Sequence, residues 1–135
     1  MSEQIPNRRL GGRLQELDER LVRLEASLAS DATLEDMLPE SVDIARKLLR
    51  AHAEHAGKVM PLTNDLLACF KAFVKGDPSL NAVRDNIREL VFYRNCLDGN
   101  RRHALPVSAE KMAVRTARHV YLYLLSRCEQ EGRLD

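Results

Sequence analysis

Aromatic residues are scarce in this chain of 135 residues, which has three tyrosines, three phenylalanines and no tryptophan. Strand patterns are scarce as well, because no segment sustains the alternation of apolar and polar residues that marks a half-buried strand. No apolar run approaches the roughly 20 residues of a membrane-spanning helix. The first ten residues hold no apolar stretch, so we expect no signal peptide. These absences favour an all-α protein of the cytoplasm with no membrane partner.

Cysteine motifs, catalytic motifs and an excess of one charge are also missing. The three cysteines, Cys69, Cys96 and Cys128, form neither a CxxC motif nor the cysteine–histidine spacing of a zinc module, so we expect free thiols. The 21 basic and 20 acidic residues leave a net charge of +1, which argues against a histone-like protein. No glycine-rich phosphate loop, GxSxG motif or paired catalytic motif occurs. We therefore predict that the protein is not an enzyme and needs no cofactor or metal.

Proline and glycine positions divide the chain into helical segments. Apolar spacing predicts one helix over residues 12–29 and a short helical turn before Pro39. Four further helices are expected over residues 40–58, 63–76, 78–99 and 109–132, with Thr63, Asp77 and Ser108 as the N-caps of the last three. The predicted fold is therefore all-α, with a four-helix bundle-like core over residues 31–135. An N-terminal leucine-heptad helix over residues 1–30 precedes it.

The strongest pattern is a leucine stripe in the first helix. Its spacing of 4, 3, 4, 3, 4 residues puts a leucine at every a and d heptad position: Leu10, Leu14, Leu17, Leu21, Leu24 and Leu28. Two interpretations remain open. In the first, the leucines form a homodimer interface: Leu14, Leu17, Leu21, Leu24 and Leu28. In the second, the helix packs within its own chain, since three heptads make a short coiled coil and a leucine stripe also suits a bundle.

Charged residues beside the stripe favour a parallel dimer. Arg13 and Arg20 occupy g positions, whereas Asp18 and Glu25 occupy e positions. In a parallel homodimer each of these arginines meets an acid of the partner helix, but an antiparallel dimer would bring like charges together. The expected stabilisation is about 0.3–0.5 kcal/mol for each exposed pair.

Two polar features fall on predicted apolar faces. His52 and His55 lie one helical turn apart, a spacing that can hold a metal ion, but the Glu-x-x-His motif of di-iron bundles is missing. We expect His52 to be a hydrogen-bonded histidine of the core or of an interface. Arg94 lies on the apolar face of its helix, where it pairs with an acid, extends its stem to solvent or forms an anion site.

Basic residues are concentrated near the C-terminus: from Arg94 to Arg127 there are seven basic and two acidic residues. Five of them are candidate nucleic-acid or anion contacts: Arg101, Arg102, Lys111, Arg115 and Arg118. A solvated face or salt bridges between helices are the simpler explanation. We therefore predict a regulatory interaction protein, a homodimer that presents a helical surface to a protein partner. The alternative is a nucleic-acid-binding protein that uses the basic C-terminal half.

Overall fold

The computed structural model describes residues 9–134, and this part of the chain contains five α-helices. They are α1 (Leu10–Ser27), α2 (Leu34–His55), α3 (Leu66–Val74), α4 (Arg84–Asp98) and α5 (Ala109–Gln130). Two 3₁₀ segments, Pro78–Val83 and Arg102–Ala104, flank α4. The described residues contain no strand, so the predicted all-α bundle is confirmed. None of the described helices is long and apolar enough to cross a membrane.

Helix α2, with 22 residues, lies at the centre of the bundle. The other four α-helices all pack against it, and α5 also contacts α1 and α4. This central position is possible because apolar residues cover more than one face of α2; its fully buried members include Ile44, Ala45, Leu48 and Leu49. The result is one continuous apolar core to which all five helices contribute.

The leucine stripe of α1 lies inside this core. Leu14, Leu17, Leu21 and Leu24 are at most 7% exposed in the single chain, and Leu28 is half-buried against the same cluster. The structure therefore follows the second interpretation, in which α2 and α5 cover the stripe. Assignment of these leucines to a dimer interface is not supported. Side chains that are already removed from water have almost no apolar area left to bury against a second copy.

The arginines predicted to pair across a parallel dimer instead bind acids of their own chain. Arg13 lies 3.0 Å from Glu54, and Arg20 lies 3.0 Å from Asp43 and also binds Glu40. All three acids belong to α2, which runs beside α1. The charge pattern beside the leucines therefore complements a neighbouring helix of the same bundle.

Helix α2 begins earlier than predicted and continues through Pro39. Thr33 is its N-cap, because the hydroxyl accepts a hydrogen bond from the backbone N–H of Asp36 at 3.2 Å. Leu34 and Leu38 then fix the first turns in the core. Pro39 stands on the exposed side of the helix, where water can satisfy the carbonyl that lacks an N–H partner. The expectation that this proline separates two helical segments is wrong.

The apolar face of α4 also differs from the predicted face. Leu80 and Val83 belong to a 3₁₀ segment, which turns by about 120° per residue rather than about 100°. A helical wheel that continues one α-helix through both segments therefore rotates the face. Tyr93 and Cys96 are buried, whereas Arg94 is exposed and forms no ion pair with any described residue.

The two ends of α5 have unusual backbone conformations. Ser108 is the N-cap residue, as predicted, but its φ of 59° is left-handed and its side chain makes no capping hydrogen bond. At the other end, Gly132 adopts a φ of 67°, which a glycine tolerates without strain. The backbone N–H of Arg133 then bonds to the carbonyl of Cys128 at 2.9 Å. This turn directs the following residues back toward α2.

Candidate interaction surface

The five candidate basic contacts separate into two groups in the structure. Arg102 forms an ion pair with Glu35 at the start of α2, and Arg118 is held by two acids of α1. The other three are exposed and form no ion pair with any residue in the range 9–134: Arg101, Lys111 and Arg115. The unpaired basic surface is therefore smaller than the sequence indicated, because Arg102 and Arg118 are paired with acids of other helices.

Arg118 joins α5 to α1 through a fork of hydrogen bonds. Its Nε donates to Glu25 Oε2 at 2.9 Å, its Nη2 donates to Glu25 Oε1 at 2.8 Å, and its Nη1 donates to Asp18. The guanidinium also lies 5.2 Å from the ring centre of Tyr121. The hydrogen bonds that Arg118 donates to Glu25 and Asp18 raise its pKa, although burial opposes the shift. Asp18 and Glu25, predicted to meet arginines of a second copy, thus meet an arginine of their own chain.

Helices α4 and α5 run antiparallel, as contacts beside the start of α4 show. The Tyr123 hydroxyl donates to the carbonyl of Ser79 at 3.4 Å, and Arg127 binds Asp77 at 3.0 Å. Both acceptors precede α4, and both donors lie in the C-terminal half of α5. The C-terminal end of α4 therefore lies beside the N-terminal end of α5, and the loop with Arg101 closes this end of the pair.

One exposed ridge of each helix combines unpaired cations with apolar side chains. We refer to the exposed ridges of these two neighbouring helices together as the α4–α5 face; its residues are Arg88 and Phe92 of α4, with Lys111, Arg115 and Leu122 of α5. Arg88 and Phe92 are one turn apart on α4, as are Lys111 and Arg115 on α5. Phe92 is 44% exposed and Leu122 is 48% exposed, so the core leaves a large part of each side chain in contact with water. Arg88 forms no ion pair with a described residue, as is also the case for the two α5 cations.

An acid of α4 accepts a hydrogen bond from a neighbouring tyrosine. The buried Tyr93 donates a hydrogen bond to Glu89, and its ring centre lies 6.2 Å from that of Phe92. Burial and the Glu89 carboxylate together raise the pKa of Tyr93. The partly buried carboxylate is therefore engaged within α4. Sequence reasoning missed Arg88, although its spacing of four residues from Phe92 was the available signal.

The two histidines of α2 surround a guanidinium at the C-terminal turn. Arg133 Nη1 lies 2.6 Å from His52 Nε2, and Arg133 Nε donates to His55 Nδ1 at 3.1 Å. A guanidinium has no acceptor atom, so the ring nitrogen of each histidine that faces Arg133 accepts the hydrogen bond, and His52 is neutral. The proton of His52 therefore sits on Nδ1, which is buried and has no hydrogen-bond partner. Its ring packs edge-on against Phe73 with centres 5.4 Å apart.

The surroundings of this histidine pair bear on the metal hypothesis. Within residues 9–134, no group of three or more histidine, cysteine or acidic side chains is arranged to hold a metal ion. Arg133 occupies the position between the rings and is itself paired with Glu131 at 3.2 Å. Burial, and then the charge of Arg133, lower the pKa of His52 to about 4. His52 is a core histidine with one hydrogen bond to a ring nitrogen.

Comparisons of the chain with protein-family models, curated proteins and solved structures found no match. Function is therefore inferred from the exposure, charges and contacts of the chain itself. On the α4–α5 face, cations that no described residue pairs stand on the same helices as the exposed side chains of Phe92 and Leu122.

Proposed function

We propose that this protein is a non-enzymatic interaction protein of the cytoplasm whose α4–α5 face binds an acidic segment of a protein partner. The single observation that carries the proposal is the unpaired charge of Arg88, Lys111 and Arg115 beside the exposed side chains of Phe92 and Leu122. The three cysteines are free, which fits a reducing compartment.

Ion pairing in the rest of the bundle supports the choice of this face. Arginines on α1, on α2 and in the C-terminal turn are paired with acids: Arg13, Arg20, Arg46, Arg50 and Arg133. Elsewhere in the described chain, the unpaired Lys71 has no large exposed apolar residue on its own helix, and the unpaired Arg23 has one, Val22, which is 53% exposed. An acidic partner would be attracted to the α4–α5 face over a distance of about one Debye length, ~8 Å at physiological salt.

The apolar residues favour a protein over a nucleic acid as the partner. Protein interfaces combine an apolar, often aromatic centre with a charged rim, and Phe92 with its flanking arginines has that composition. A phosphate backbone offers no apolar surface to an aliphatic side chain such as Leu122. Nucleic acid remains the second candidate because Arg101, Lys111 and Arg115 are unpaired.

Binding of designed probes tests the proposal. The probes are a fluorescent amphipathic helix rich in glutamate and leucine, its scrambled sequence, and random single-stranded DNA and RNA. We expect the amphipathic helix to bind with an affinity that falls as salt rises. Two double variants, Phe92→Ala with Leu122→Ala and Arg88→Gln with Arg115→Gln, should each weaken binding by about tenfold or more.

Arg23→Gln with Lys71→Gln is the matched control, because it removes the same charge from exposed and unpaired positions. It should bind like the unaltered protein. If the control variant lost as much affinity for the amphipathic helix as the arginine double variant, only net charge would matter. That result would refute the proposal that the α4–α5 face is the binding site. The protein could instead bind DNA or RNA more tightly than the amphipathic helix. If this binding is lost in the arginine double variant but kept in the Phe92 and Leu122 double variant, the nucleic-acid alternative replaces the proposal.

A further inference from the structure

A groove bordered by α2, α4 and the start of α3 differs from the other grooves of the described chain. Its volume is about 250 Å³. Its floor is apolar and includes Val42, Leu66 and Leu90. Its rim carries groups of both charges and an amide, namely Arg94, Asp98 and Asn64. Sites for small molecules have this combination of an apolar floor with a few convergent polar groups.

The charged groups of this rim have no ion-pair partner among the described residues. Arg94 and Asp98 stand one turn apart on α4, yet neither forms an ion pair within residues 9–134. An arginine four residues before an acid is the weaker order for a helical ion pair. In the groove between α1 and α2, by contrast, the cations are engaged with acids: Arg13, Arg20, Lys47 and Arg50.

We propose that this groove binds a free α-amino acid with an aliphatic side chain. The planar guanidinium of Arg94 matches a carboxylate in geometry, and the Asp98 carboxylate matches an ammonium group. The aliphatic side chain of the ligand packs on Val91, the apolar side chain of the lining that is partly exposed. A simple anion would be repelled by Asp98 and a simple cation by Arg94, so the two rim charges together select a zwitterion.

The size of the groove agrees with a ligand of this class. A volume of about 250 Å³ lies below the roughly 300–1,000 Å³ of pockets for drug-sized molecules. Asp65, which also lines the groove, already accepts the backbone N–H of Leu67 as the N-cap of α3. Asp98 is therefore the acid that is free to receive the ammonium group. The site faces α3 rather than α5, and the inference stands independently of the proposed function of the α4–α5 face.

Three related compounds separate the contributions of the ligand groups. They are L-leucine, L-leucine methyl ester, which lacks the carboxylate, and 4-methylpentanoate, which lacks the ammonium group. Calorimetric titration of the full chain should show binding of L-leucine, with both analogues weaker by about tenfold or more. Amide chemical-shift changes on adding L-leucine should centre on the residues that line the groove.

Variants of the rim test the assigned partners. Arg94→Gln and Asp98→Asn should each weaken L-leucine binding by about tenfold or more, since each removes one charge-assisted contact. Arg84→Gln and Asp85→Asn are matched controls on exposed positions of the same helix and should bind normally. Far-UV circular dichroism checks the fold of every variant; all four side chains are exposed, so we expect it to persist.

Three results would overturn the proposal. One is the absence of binding heat with L-leucine at millimolar concentration. Another is equal binding of 4-methylpentanoate or the methyl ester, which would show that the groove does not recognise both charges. The third is a loss of binding in the control variants equal to the loss in the Arg94 and Asp98 variants.

Discussion

Acidification from pH 7 to pH 5 is expected to lower the free energy of unfolding by about 2 kcal/mol through His52 alone. In the folded state its Nε2 accepts a hydrogen bond from the Arg133 guanidinium, and its ring is 3% exposed. Protonation would place a buried imidazolium against a cation. The pKa of His52 is therefore lowered from 6.5 to about 4, first by burial and then by Arg133.

The sign of the effect follows from which state binds the proton. Between pH 6.5 and pH 4 the unfolded chain protonates His52 while the folded chain does not. The stabilisation from neutral His52 is therefore complete above pH 6.5 and is lost as the pH falls toward 4. Its full size is about 3 kcal/mol, from ~1.4 kcal/mol for each pKa unit. About 2 kcal/mol of this is lost by pH 5.

Urea unfolding followed by far-UV circular dichroism at constant ionic strength measures this loss. The informative variant is His52→Gln, because a glutamine oxygen can accept from Arg133 but does not titrate. His55→Gln is the matched control on the exposed neighbour that also contacts Arg133. We expect the pH slope between 7 and 5 to disappear in His52→Gln and to persist in His55→Gln.

Equal pH slopes in the unaltered protein and in His52→Gln would refute the reasoning. The comparison is made above pH 5 because paired carboxylates titrate lower. Hydrogen bonds from arginines hold the pKa of Asp43 and Glu131 below their usual values, although burial opposes the shift. The stabilisation from these carboxylates is present above their unfolded pKa and is lost as the pH falls through their folded pKa. It therefore changes mainly below pH 5, outside the range that is compared.

Three further predictions concern stability. Leu21→Ala should lower the free energy of unfolding by about 2–5 kcal/mol in urea titrations, because the fully buried side chain leaves a cavity; a smaller native mass in sedimentation, with the fold retained, would instead restore the dimer interpretation. Arg118→Gln should cost about 1–3 kcal/mol, since two partly buried acids lose their shared partner; an unchanged unfolding midpoint would contradict this role. Ser108→Gly should raise the free energy of unfolding by up to about 1 kcal/mol, because glycine tolerates the φ of 59°. A lower free energy of unfolding in this variant would show that Ser108 is not strained.

Local features of the chain were predictable because short-range chemistry sets them. Asp77 caps the 3₁₀ segment that begins at Pro78, and Ser108 stands at the start of α5. Gly132 takes the left-handed conformation just after α5 ends. The effect of Pro39 was predicted wrongly. The hydrogen bond that a proline removes from a helix is a local cost, whereas the burial of α2 that offsets this cost comes from packing against other helices.

The partner of each side chain was not predictable in the same way. Asp18 and Arg118 are 100 residues apart, and nothing local identifies them as an ion pair. Arg133 similarly reaches His52 across 81 residues of sequence. The basic residues near the C-terminus form one group in the sequence. In the structure, Arg102 and Arg118 form ion pairs with acids of other helices, whereas Lys111 is exposed.

The sequence alone determined that the chain is helical and that α1 must cover its leucine stripe with apolar surface. A stripe such as Leu14, Leu17 and Leu21 is stabilised equally by a second copy or by neighbouring helices, because the hydrophobic effect is not directional. Only the tertiary structure decided that α2 and α5 cover it. The same packing decided which cations remain unpaired and thus where a partner or ligand can bind.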